Sequence, residues 1–126
     1  LAITTALGLD PDTTPVSCPW IKNGKQIGWG GAMGPAQFIP STWIGYQDRL
    51  RAILGKAPNP WDIRDAFLAS ALLLRDNGAA RGGETEEWKA ALRYFSGSVN
   101  TAYSFYGDQV LERARGYQED IDLLNR

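Results

Sequence analysis

The sequence predicts a mainly α, helical domain with one long Gly/Pro-rich loop. Three observations carry that prediction. Apolar residues recur at intervals of three and four over most of the chain after residue 40. Helix start and stop residues bracket those runs: Ser41, Asn59-Pro60 and Thr85 at the starts, Gly55 and Gly78 at the ends. Outside the loop no stretch alternates apolar and polar residues as a strand would. The chain has 126 residues, 44% apolar and 21% charged, enough to fill one compact core.

The elements follow in order. Leu1, Ile3, Ala6 and Leu7 read as the tail of an amphipathic helix with no N-cap before it, so the sequence reads as continuing a longer polypeptide. Gly8 and Asp10-Pro11-Asp12 end that stub. From Asp12 to Gly31 the chain is rich in Thr, Pro and Gly, a long surface loop with a short hairpin at Asn23-Gly24, a dipeptide suited to a type I′ turn. Ser41 is placed as the cap of a helix carrying Trp43, Ile44, Leu50, Ile53 and Leu54. Asn59 caps the next, with Pro60 at its first position, Asp62 and Asp65 near its positive end, and Ile63, Ala66, Phe67, Ser70, Leu73 and Leu74 as its core face. Thr85 caps a helix with Glu86 and Glu87 in its first turn that runs to Phe95. Val99, Tyr103, Tyr106, Val110, Ala114, Tyr117, Ile121 and Leu124 then form one stripe of a long last helix, with Gly107 and Gly116 as weak positions.

Composition removes much chemistry. Lys and Arg number 13 against 14 Asp and Glu, a net charge of −1. That balance lacks the concentrated basic surface that nucleic acid or an anionic membrane demands. No apolar run approaches the roughly 18 residues of a membrane span. Without histidine and with Cys18 alone, His triads, His metal sites, thiolate clusters and an internal disulfide are excluded. No metal and no cofactor is expected. Carboxylates, hydroxyls, amides and aromatics remain.

The segment Gly30–Tyr46, GGAMGPAQFIPSTWIGY, combines close-spaced Gly and Pro with Met33, Gln37 and Phe38. Such a composition suits either a tight backbone that approaches a ligand or a simple Gly-rich turn into a helix. The run GAMGPAQFIPSTW resembles the Gly-x-Met-Gln-type signature of lytic transglycosylases, lysozyme-like enzymes that cut peptidoglycan. Asn59-Pro60-Trp61-Asp62-Ile63-Arg64-Asp65-Ala66 is similar to their N-x-W-D-x-x-D-A stretch. Arg93-Tyr94-Phe95-Ser96-Gly97 stands at the place of their A-Y-N-A-G motif, with Phe95 where the family has Asn. The likeness runs in order from about Gly30 to the C-terminus. It implies that residues 1–126 form one lysozyme-like, soluble lytic transglycosylase-like domain, the C-terminal three quarters of such a catalytic domain.

The resemblance also implies a chemistry. Glycosidases ordinarily use two carboxyl groups, whereas this family uses one Glu. It protonates the oxygen between N-acetylmuramic acid and N-acetylglucosamine, then takes the muramic 6-hydroxyl proton as a 1,6-anhydro ring closes. The family's Glu precedes the Met-Gln signature, yet residues 1 to 36 contain none. The catalytic residue is therefore expected upstream of Leu1. Glu84, Glu86 and Glu87 sit at a helix start, and Glu112 and Glu119 lie off the apolar stripe. Asp10 and Asp12 flank a proline in a turn, and Asp62 and Asp65 read as structural caps with lowered rather than raised pKa values.

The remaining carry-over concerns the saccharide groove. Gln37 would hydrogen-bond sugar, Met33 would shape the floor, and backbone at Gly31 and Ala32 would take an N-acetyl group. Ser41 is either a polar contact or an N-cap, and Tyr94 either the motif tyrosine near the catalytic Glu or a core aromatic. Trp20 and Trp29, in the loop, are candidates for stacking on sugar, while Trp43 reads as core. The implied partner is the peptidoglycan glycan strand, the implied location the exported cell-envelope space, and the implied state a monomer. Two alternatives stay open: a hydrolytic lysozyme-like glycosidase, and a glycan-binding module without catalysis.

Overall fold

The computed structural model describes residues 2–17, 20–28 and 31–126, the side chains of Trp20, Gln26 and Ile27 excepted. The class is mainly α, as the periodicity predicts. The chain divides into two compact units, Leu1–Ser70 and Ala71–Arg126.

In the first unit, α1 (Ala2–Ala6) ends as its sequence directs. Gly8 takes φ +67°, and the amides of Gly8 and Leu9 return to the carbonyls of Thr5 and Thr4, closing a Schellman motif. Asp10 Oδ1 accepts from the Asp12 amide at 2.9 Å, an Asx turn that carries the chain into the loop. β1 (Trp20–Lys22) and β2 (Lys25–Gly28) pair antiparallel. Between them Asn23 and Gly24 have φ of 52° and 72°, the two left-handed residues of a type I′ turn. The loop returns as isolated bridges, Val16 to Met33 and Met33 to Phe38.

α2 (Pro40–Leu54) begins one residue before the expected cap. Ile39 precedes a proline and is therefore extended (φ −71°, ψ 149°), Pro40 takes the first helical position, and Ser41 makes no capping bond. Gly55 ends the helix at φ 68°, its amide on the Arg51 carbonyl. Trp43 and Leu50 are fully buried, and Phe38 packs edge-on to Trp43 with centroids 5.5 Å apart. α3 (Ile63–Asp76) also starts differently from the expectation. Asn59 Oδ1 accepts from the Trp61 amide and closes a turn of its own. Asp62 is the N-cap, its Oδ1 taking the amides of Arg64 and Asp65 at 2.9 and 3.1 Å. The buried face of α3 is rotated from the expected one. Asp65, Ala66, Ala69 and Leu72 are buried, whereas Ile63 and Phe67 are 56% and 62% exposed, because small side chains permit closer packing than the large ones flanking them.

The second unit contains the end of α3, a 3-10 turn Ala79–Arg81, α4 (Glu84–Ser96), a 3-10 turn Thr101–Tyr103 and α5 (Ser104–Leu124). Gly82 and Gly83, both at positive φ, deliver the chain into α4, so Gly83 and not Thr85 is its N-cap. Gly97 at φ 78° closes α4. Gly107 lets α5 approach α4: a Cβ there would lie 2.6 Å from Trp88 Nε1. That indole donates to Asp108 Oδ1 at 2.8 Å. Arg115 Nε meets Glu84 Oε1 at 2.6 Å, so the start of α4 aligns with the middle of α5. Val99 lies outside the helix, and the stripe's Tyr117, Ile121 and Leu124 are exposed rather than core.

Candidate functional site

The Gly-rich motif folds as a tight turn pinned at both ends. The Met33 amide donates to the Phe38 carbonyl at 2.8 Å. Within the turn Gly34 (φ +61°) and Gln37 (φ +56°) are left-handed. For Gln37 that geometry costs roughly 1–2 kcal/mol, and backbone held in such regions gathers at functional sites. Gln37 is exposed, and its Nε2 folds back to donate to the Gly34 carbonyl at 2.9 Å. Ala32 is likewise engaged: its amide donates to Ser17 Oγ at 2.9 Å and its carbonyl accepts from the Ser17 amide at 3.0 Å. Met33 is buried.

The first two motifs, separated in sequence, meet in space. A Cβ on Gly34 would fall 1.9 Å from the Pro60 carbonyl oxygen, so only glycine lets the GAMG turn rest on the NPWD turn. The second turn is itself braced by Asp65, 1% exposed. Asp65 Oδ2 accepts from the Asn59 amide at 2.9 Å and faces Lys56 Nζ at 3.1 Å. Trp61, beside Pro60, donates from Nε1 to the Pro15 carbonyl at 2.8 Å, tying the long loop to both motifs.

These contacts border a cleft of about 460 Å³ in the first unit. Met33, Gly31 and Val16 line one part, Trp61, Pro40 and Ile44 another, with Ile3 and Thr4 of α1 and the segment 11–15 completing it. The lining is apolar and aromatic with threonine hydroxyls, and Asp12 is its one carboxylate. Asp12 is exposed to solvent at the rim. The arrangement suits a neutral, hydroxyl-bearing ligand with an apolar face.

Of the residues predicted for the site, Gly31 and Met33 line this cleft, while Gln37, Ala32 and Ser41 do not. Ser41 is exposed on the first turn of α2. Tyr94 is half-buried on α4 in the second unit. Trp29, the Trp20 side chain and Cys18 lie outside the described residues. Trp61, Thr13, Thr14 and Ile3 were not singled out by the sequence. The loop's length was the signal for Thr13 and Thr14, while Trp61 stood in the Asn59–Ala66 motif and Ile3 in the first helix; their convergence depends on contacts between distant segments.

Charge is held away from acid catalysis elsewhere. Backbone amides, chiefly that of Asp65, lower the pKa of Asp62. The Arg115 guanidinium lowers Glu84, and the Lys89 ammonium lowers Glu86. Among the described residues no three His, Cys, Asp or Glu side chains gather as a metal site, and no helix is long and apolar enough to cross a membrane. No protein-family model, curated protein or solved structure matches the chain.

Proposed function

We propose that this chain is the glycan-holding part of a lysozyme-like peptidoglycan lytic transglycosylase. The observation that carries the reading is the seating of the GAMG turn on the NPWD turn through Gly34 and Pro60, with residues of both turns lining one cleft. Two motifs that resemble one enzyme family in sequence thus form one local structure. In this reading Met33 and Gly31 floor the glycan site, and Trp61 offers the aromatic surface that an apolar sugar face stacks against. Gln37, Ala32 and Ser41 stand on the same stretch of chain as that floor; the roles of Trp29, outside the described residues, and of Tyr94, in the second unit, rest on the resemblance alone. The reaction is cleavage of the MurNAc–GlcNAc β-1,4 bond with closure of a 1,6-anhydro ring. Its acid and base is one Glu carried outside residues 1–126, since none stands before the motif. The substrate sets the place of action in the exported cell-envelope space, with glycan strands as the partner.

The test has two arms on purified peptidoglycan. The 126-residue chain should co-sediment with sacculi and release no soluble product. The parent polypeptide carrying the preceding sequence should release muropeptides about one water lighter than reducing-end products, read by mass spectrometry. Reducing-end products from that polypeptide would assign a hydrolase instead. Binding without products from either would assign a binding module, and neither binding nor products would reject the reading.

A further inference from the structure

We infer that α5 pairs antiparallel with α5 of a second copy of this chain. From Glu112 onward every residue of α5 is exposed, including Tyr117 at 67% and Ile121 at 49%. Phe95 of α4 stacks on Tyr106 at the head of the stripe, with centroids 4.5 Å apart, and beyond that point α4 packs on a different face. It meets Gly107, Asp108 and Arg115, which lie about a third of a turn round the helix from the stripe Val110, Ala114, Tyr117, Ile121. The stripe residues follow one another by four, three and four, the spacing of a helix-pairing seam.

Two features choose a second copy, and the antiparallel direction, as its cover. The smaller stripe residues, Val110 and Ala114, come first, and the larger Tyr117 and Ile121 come second. An antiparallel pair therefore sets Ala114 against Tyr117 and Val110 against Ile121, twice each by symmetry, small opposite large in every layer. The seam's flank carries Arg113 and, one heptad on, Asp120, both exposed. In the antiparallel register each Arg113 faces the Asp120 of the other copy, giving two symmetric ion pairs. A parallel pair would put Arg113 beside Gln118 and Asp120 beside Asn125, with no charge matched. The helix is already formed on α4, so pairing does not bear the cost of nucleating it. The seam is short, and the dimer is correspondingly weak.

Sedimentation equilibrium across the micromolar to millimolar range tests this directly. The weight-average mass should rise from 13.8 kDa toward twice that value. Ile121→Asp should hold the chain monomeric with unchanged far-UV circular dichroism. Arg113→Asp should weaken association roughly tenfold by setting like charges together, and adding Asp120→Arg should restore it. A mass that stays monomeric throughout, a dimer that survives Ile121→Asp, or a double exchange that fails to recover would each overturn the inference. A parallel helix pair would show as a dimer that Arg113→Asp does not weaken, which would equally overturn the inference.

Discussion

Single residues fix the candidate site more than any element does. Gly34 combines a left-handed φ with a carbonyl 1.9 Å from where its Cβ would be. Gly34→Ala should destabilise the fold by about 3 kcal/mol or more, read as a fall in urea midpoint at unchanged slope. Gly116→Ala, with nothing within 4 Å of its Cβ, should stabilise by about 0.5–1 kcal/mol as a helix-interior replacement. Carboxylates at the surface or half-buried set the acid limit. Asp62, Glu84 and Glu86 titrate below their ordinary values of 3.8, 4.5 and 4.5. A carboxyl lowered by folding binds fewer protons in the folded state, so its contribution is present above the ordinary value and lost as pH falls through the lowered one. Stability should therefore drop on acidification below about pH 4.5, and Arg115→Ala should return Glu84 toward its ordinary range in an NMR titration. At this scale the turn chemistry of Asn23-Gly24 was legible, since the dipeptide itself demands left-handed backbone. The same geometry at Gln37 was not, because a glutamine carries no such signature.

Helices were legible in kind and less so in their ends. The stop at Gly55 and the five α-helices of the described residues follow from caps and periodicity. The starts were shifted wherever a neighbour outbid the nearest Ser, Thr or Asn: Pro40 before Ser41, the Gly82-Gly83 pair before Thr85, and the Asn59–Asp62 turn before α3. These assignments predict a pattern in thermal or chemical denaturation. Asp62→Ala should cost about 1 kcal/mol as a lost N-cap, while Ser41→Ala and Thr85→Ala should change stability by less than about 0.5 kcal/mol. Equal losses at all three would contradict the placement of the caps. The apolar stripe of α5 was visible in the sequence as a pattern. Its exposure was not, because periodicity shows that a face is apolar without showing what covers it.

At the scale of the molecule, the mainly α class was legible from composition and spacing, and the cleft was not. Its walls come from α1, the loop and both turns, segments whose meeting depends on Gly34 against Pro60 and on Trp61 against Pro15. The glycan reading stands on that meeting. The most direct test is a titration of the isotopically labelled chain with a GlcNAc-MurNAc tetrasaccharide, followed in two-dimensional amide and indole NMR spectra. Saturable shifts at the Gly31 and Met33 amides and the Trp61 indole, with none over residues 111–126, are the predicted result. No saturable shift in the cleft, or shifts confined to the second unit, would contradict it.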